Sequence, residues 1–316
     1  PTAATIKGLQ GKTFENVQEL GLGHAALNVN LPCFVLSSDE NRAIAFPCMG
    51  RIYYFNRAYM EQLDGRIKML SDGGTVVDLI ILTRAEWHGV WGDPVRTPLL
   101  LHPRLDPSSI VSAFRVTAEE PLMLLIACME FLAARYMRPD EKYGSACGWI
   151  IGNEVNAQWI YCNCGETDMD TFLSEYQLAL RCAFYAVRKH YAQARVYISL
   201  DHCWNMLLEP NEKHFYRGKA LLDALQRNDQ AEGGPISGTI QRRYIAVTPE
   251  RSHSGMSRYS PRISSRSNFC TGVKSGISSC PIRDCVPVIR RRVSGFRQTH
   301  LCWHFIKSKR YQRLKH

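Results

Sequence analysis

The stretch Trp149-Ile150-Ile151-Gly152-Asn153-Glu154-Val155-Asn156 carries the strongest chemical signal in this chain. An apolar run breaks into an asparagine and a glutamate. If the run is a buried parallel strand, Glu154 stands at its C-terminal end, the end that carries the active face in an α/β barrel. A carboxyl group partly shielded from water there can hold its proton to higher pH and act as a general acid. Asn153 can hydrogen-bond a sugar hydroxyl and help orient the carboxyl group, and Asn156 follows on the same turn. The plainer alternative is a pair of polar residues that merely cap a strand.

Other residues could join such a site. Asp201, His202, Trp204 and Asn205 close the next apolar run, Arg195 to Leu200, and would line the same cleft; Trp204 suits sugar stacking and suits a core equally well. Trp87, His88 and Trp91 lie in a loop of about 30 residues, long enough that a functional role is the usual explanation, and could form a sugar subsite. Asn28 and Asn30 are polar residues inside a strand, so one of them is expected at the barrel mouth. Cys162-Asn163-Cys164 together with His202-Cys203 offers metal-ligand types, but the first spacing is C-x-C and a second pair is absent, so no metal is expected. No glycine-rich phosphate or dinucleotide motif occurs, and no cofactor is expected.

These residues need a scaffold, and the first 230 positions alternate between strand and helix signals. His24 to Leu31, Thr75 to Leu82, Cys147 to Gly152 and Arg195 to Leu200 read as strands. Thr75 to Leu82 is β-branched and nearly all apolar, as befits a parallel strand buried on both faces. Helices are expected over Asn56 to Leu70, after a Thr117-Ala118-Glu119-Glu120 capping box, over Asp168 to His190, and over Asn211 to Leu225. Thr13 to Gly21 reads as a helix end, and residues 32–55 as an insertion. Strands alternating with long helices imply a parallel sheet. Ala3 to Leu9 is a poor strand, so the first strand is expected to be missing and strands two to five to be present.

Near residue 230 the character changes. Residues 232–316 hold 17 lysines and arginines against only Glu232, Glu250 and Asp284, a net of +14, whereas the rest of the chain carries −4 within the overall +10. Serine, arginine and cysteine interrupt every apolar run, and this tail is expected to be largely unstructured. It would bind phosphate backbones through charge alone, but its Ser-Arg pairs are irregular and no RNA-binding fold accompanies it, so no nucleic-acid partner is expected. No run approaches a membrane span, and the start lacks a signal-peptide pattern. The eight cysteines before residue 232 show no disulfide spacing and are read as reduced thiols.

Val17-Gln18-Glu19-Leu20-Gly21, Tyr53-Tyr54-Phe55-Asn56, Ile150 to Ala157 and Ala194 to His202 resemble an uncharacterised bacterial family, domain of unknown function 5722, over about residues 14–231. Asn153-Glu154 at the end of a fourth strand also resembles the barrel glycosidases of the largest retaining clan, clan A. The resemblance implies a (β/α)8 barrel over residues 1–231, a carbohydrate substrate, cleavage of O-glycosidic bonds, and Glu154 as acid/base. A retaining enzyme of that clan needs a second carboxylate at the end of strand seven, about 5–5.5 Å from the first. The recognisable pattern stops after strand five, and none of Glu232, Glu250 and Asp284 ends an apolar strand. Residues beyond about Gly233 are therefore read as out of frame, which puts turnover by this chain in doubt. A non-catalytic sugar-binding barrel and a basic nucleic-acid-binding tail are the alternatives.

Overall fold

The β-branched runs pair into a parallel sheet in a computed structural model of the chain, which describes residues 3, 5, 7–10, 17, 19–39, 42–85, 93–232, 245–246 and 303–307. In chain order the elements are β1 (Lys7–Gln10), β2 (His24–Asn30), β3 (Val35–Leu36), β4 (Ala43–Cys48), β5 (Arg51–Asn56), α1 (Arg57–Asp72), β6 (Val76–Arg84), β7 (Val111–Ser112), α2 (Glu119–Tyr136), β8 (Gly148–Ile151), α3 (Gln158–Tyr161), α4 (Met169–His190), β9 (Arg195–Tyr197), α5 (Gly218–Ala231), β10 (Ile245–Ala246) and β11 (Trp303–Lys307). All described residues belong to one compact unit.

The main sheet runs β10-β11-β1-β2-β6-β8-β9, with every pair along that path parallel. The fold is thus mixed α/β around a parallel sheet. Successive strands β2, β6, β8 and β9 are joined by segments that contain α1, α2 and α4, because parallel neighbours need a crossover rather than a hairpin. Ala25, Leu27 and Val29 of β2 share one face with Val77, Leu79 and Ile81 of β6 and Trp149 and Ile151 of β8. This face joins Met60, Ile67, Leu125, Leu132, Leu180 and Val187 of the helices in the principal core. The opposite face holds a second cluster, Ala26, Ile80, Leu82, Ile150 and Tyr197 with Val111. Both faces are apolar, which explains why β6 reads as a continuous hydrophobic run.

Several expectations are corrected. A first strand is present: β1 pairs with β2, Gly8 beside His24 and Gln10 beside Ala26. Its composition hid it, because lysine, glycine and glutamine are not strand-rich residues. Residues 32–55, read as an insertion, are ordered: β3, β5 and β4 form an antiparallel sheet apart from the main one. The Thr117 capping box does not form; α2 begins one residue later than that box requires, with Ala118 at the cap and no side-chain bond. The last helix starts at Gly218 rather than Asn211, because the Asn211 side chain accepts from the Lys213 amide at 2.9 Å and turns the chain. In the tail, β10 and β11 are strands where none was expected; the remainder of that segment and most of Thr13 to Gly21 lie outside the described residues. No helix among the described residues is long and apolar enough to cross a membrane.

Asp93 pins the returning end of the long loop. Its carboxylate accepts from the Ser37 amide at 3.0 Å and the Ser37 hydroxyl, and from the amides of Val95 at 2.7 Å and Arg96 at 3.0 Å. Burial pushes this carboxyl up, but the hydrogen bonds outweigh it and hold it below the usual aspartate range. Its stabilisation is therefore present above the unfolded-state pKa and lost as pH falls through the lower folded one. Asp93→Asn is expected to flatten the acid limb of a denaturation-versus-pH curve; an unchanged acid limb would contradict this role.

Candidate active site

The C-terminal ends of β8 and β9 build the candidate site. After Ile151 the chain turns sharply through Gly152, at φ +76°, and Glu154, at φ +44°. A left-handed conformation is uncommon for a residue with a side chain and clusters at functional positions. Ser199, just beyond β9, holds the turn. Its hydroxyl accepts from the Glu154 amide at 3.2 Å and its carbonyl from the Val155 amide at 2.9 Å. These bonds divert the chain after Tyr197, so β9 ends three residues before the expected Leu200. On the other side the Tyr176 hydroxyl donates to the Ile151 carbonyl at 2.7 Å, tying the end of β8 to α4.

Glu154 is only 6% exposed, Asn153 8% and Asn156 1%. Asn156 does not point to a free cleft. Its Nδ2 donates to Asp201 Oδ1 at 2.5 Å and to the Tyr216 carbonyl at 3.3 Å, while its Oδ1 accepts from the Asp201 amide at 2.8 Å. It is a clamp between the ends of β8 and β9. Asp201 Oδ1 also accepts from the Cys203 amide at 2.7 Å. Glu154 and Asp201 act on the same neighbours. Burial first, then the charges of Glu154 and Asp201, raise the Tyr161 phenol. Burial, then Asp201 and Glu154, push the Cys203 thiol up to about 12.

The other expected residues are distributed unevenly. His202 is exposed beside Asp201, and Trp204 is half-buried and packs against the principal core. Asn28 is exposed on the sheet face opposite the helices, in the row Asn28, Ile80, Ile150, Tyr197, and accepts from Gln10 Nε2 at 3.4 Å. Asn30 is buried, its side chain bonded to the Arg84 amide at 2.6 Å and to Cys33 Sγ at 3.0 Å. Trp87, His88 and Trp91 lie outside the described residues. Cys162 and Cys164 are buried apart from the metal-ligand grouping found among the described residues, which is Asp201, His202 and Cys203. Sequence reasoning missed Ser199 and Tyr161 as members of the site, and named Cys203 only as a metal-ligand type beside His202. Ser199 and Cys203 stood beside the singled-out Asp201 and His202, whereas nothing local marked Tyr161.

Comparison with known proteins adds the family. A model described as a family of unknown function (DUF5722) matches residues 1–236. No curated protein matches the sequence. Similar solved structures include the GH53 catalytic domain of Ignisphaera aggregans, at 12% identity and TM-score 0.40 over 76% of this chain and 59% of that one. A family 1 β-glucosidase from Thermotoga maritima aligns at 11% identity and TM-score 0.41 over 73% of this chain and 52% of that one. A β-glucosidase from Thermotoga maritima in complex with deoxynojirimycin gives 12%, 0.40, 73% and 52%. The chain thus spans between about half and three fifths of the lengths of these structures. With the family model matched over the greater part of its length, the chain belongs to the DUF5722 family.

Proposed function

We propose that residues 1–231 are part of a (β/α)8 barrel of the glycoside-hydrolase kind, acting on O-glycosidic bonds of a carbohydrate with Glu154 as acid/base. The observation that carries this reading is a buried glutamate in a left-handed backbone conformation at the C-terminal end of the fourth strand of a parallel sheet. In chain order β8 is the fourth strand of the main sheet among the described residues, after β1, β2 and β6. In this role Glu154 protonates the leaving oxygen of the glycoside as the bond breaks, then takes a proton from the incoming water. Ser199 fixes its backbone. Asn153, Asp201 and His202 bound the substrate from the ends of β8 and β9, with Asn156 holding Asp201 in place. Trp204, Asn28, Trp87 and His88 complete the proposed sugar contacts.

A barrel needs more strands than these. In the main sheet β9 pairs with β8 alone among the described strands, and the family match ends at residue 236. We take residues 1–231 as the glycosidase-like part and 232–316 as a basic tail, of which β10 and β11 join the main sheet beside β1. A second reading, a sugar-binding barrel without turnover, is favoured by Glu232, the one candidate nucleophile among the described residues. Glu232 is an exposed residue whose carboxylate pairs with Arg181, and Glu250 and Asp284 lie outside the described residues.

The test is to incubate the full chain with a panel of nitrophenyl glycosides and, in parallel, with the matching free oligosaccharides. Hydrolysis of any glycoside supports the catalytic reading. Oligosaccharide binding without hydrolysis supports the second, and neither binding nor hydrolysis contradicts both.

A further inference from the structure

We propose that Asp201, His202 and Cys203 bind a zinc ion at the end of β9. The site shares Asp201 and His202 with the proposed sugar contacts, but it is argued from their metal-ligand chemistry and does not require the carbohydrate reading. One carboxylate oxygen, one imidazole nitrogen and one thiol sulfur from these three residues lie within 4.8 Å of one another. Cys203 Sγ and His202 Nε2 are 3.8 Å apart. Around a tetrahedral zinc, with bonds of about 2.3 Å to sulfur and 2.0 Å to nitrogen, those two atoms stand roughly 3.6 Å apart. The pair therefore needs to shift by only a few tenths of an ångström.

A second observation points the same way. Asp201 is oriented as a metal ligand's carboxylate usually is. Its Oδ1 is held by Asn156 Nδ2 and by the Cys203 amide, and its own amide is anchored on Asn156 Oδ1. That leaves Oδ2, which is shut off from solvent and accepts no hydrogen bond. A buried carboxylate oxygen with unused lone pairs is costly unless something positive or donating meets it. Outer partners that fix one oxygen of a ligating carboxylate belong to the usual construction of metal sites.

The donor set selects the ion. Thiolate and imidazole favour zinc over magnesium or calcium, which prefer oxygen ligands throughout. Cys203 is buried and His202 exposed, so the ion would enter from the His202 side. On binding, the Cys203 thiol gives up its proton to solvent and the sulfur takes the metal in its place. Three protein ligands leave a fourth position to water, the arrangement of reactive rather than purely structural zinc sites. The sequence reading grouped His202 and Cys203 with Cys162 and Cys164 and left out Asp201, because three consecutive ligands match no common zinc pattern.

The experiment is a titration of the chelator-treated full chain with Zn2+ alone, and with Co2+ as a spectroscopic substitute. One equivalent of Zn2+ is expected to bind, and Co2+ is expected to give a thiolate-to-cobalt charge-transfer band. Cys203→Ser should remove that band. His202→Ala, a change at an exposed side chain that leaves the packing alone, should weaken Zn2+ binding by about 10-fold or more. Absence of stoichiometric binding overturns the proposal. So does binding that survives both Cys203→Ser and His202→Ala, which would place the ion on other cysteines of the chain.

Discussion

Glu154→Gln is expected to lower glycoside turnover by about 10²- to 10⁴-fold while leaving the fold intact. Glutamine has the volume of glutamate and keeps the amide that Ser199 accepts. The backbone turn through Gly152 and Glu154 should therefore persist, and the melting temperature should stay close to that of the parent. What is lost is the transferable proton, the one property the mechanism needs and the fold does not. A variant with parental turnover, measured on whichever nitrophenyl glycoside the parent cleaves, would remove Glu154 from the chemistry. A variant that loses activity only because it unfolds would be exposed by its melting curve.

The largest stability effect is expected at Asp64, far in sequence from the candidate site. Arg135 grips the Asp64 carboxylate through Nε at 2.7 Å and Nη2 at 2.5 Å, and the Tyr136 hydroxyl donates to the same carboxylate at 2.9 Å. Arg135 also lies 3.6 Å from the Tyr143 ring centroid. The two ion-pair side chains are only 10% and 13% exposed, so water cannot replace the carboxylate. Asp64→Ala would leave a guanidinium and a phenol buried between α1 and α2 with no acceptor. Removing one partner of such a pair costs about 3–5 kcal/mol, which for a domain of this size lowers the melting temperature by roughly 10 °C. Thermal unfolding of the variant measures it. A shift of about 2 °C or less would mean that the pair is solvated and contributes little.

Much of the scaffold was legible because burial imposes periodicity. In β6 both faces are covered, so Val76 to Leu82 is almost unbroken by polar residues. In α4 one face packs on the sheet, so Phe172, Tyr176, Leu180, Phe184 and Val187 recur at helical spacing. Glu154 was legible for a related reason: a polar residue directly after a fully buried strand is conspicuous. β1 was not, because Leu9 is its one large apolar residue: Lys7 is exposed, and the buried Gln10 bonds the Asn28 side chain on β2. The antiparallel β3, β4 and β5 were hidden by mixed exposure, and the start of α5 by the local turn at Asn211. The site itself was only half legible. Ser199 acts through a backbone amide and Asn156 through a neighbouring strand, and such contacts depend on which strand ends lie side by side. The C-x-C pair drew attention as a sequence pattern, yet the chain end after β9 gathers Asp201, His202 and Cys203 instead.

The central claim, that Glu154 supplies the proton to the leaving group, is tested most directly by comparing two substrates in Glu154→Ala. One glycoside carries a dinitrophenyl leaving group, which departs without protonation; the other carries a free sugar or an alkyl group, which does not. The account predicts that the alkyl or sugar glycoside loses nearly all turnover while the dinitrophenyl glycoside keeps rapid bond cleavage. Equal loss on both substrates would contradict it, because the missing carboxyl would then be acting on something other than the departing oxygen.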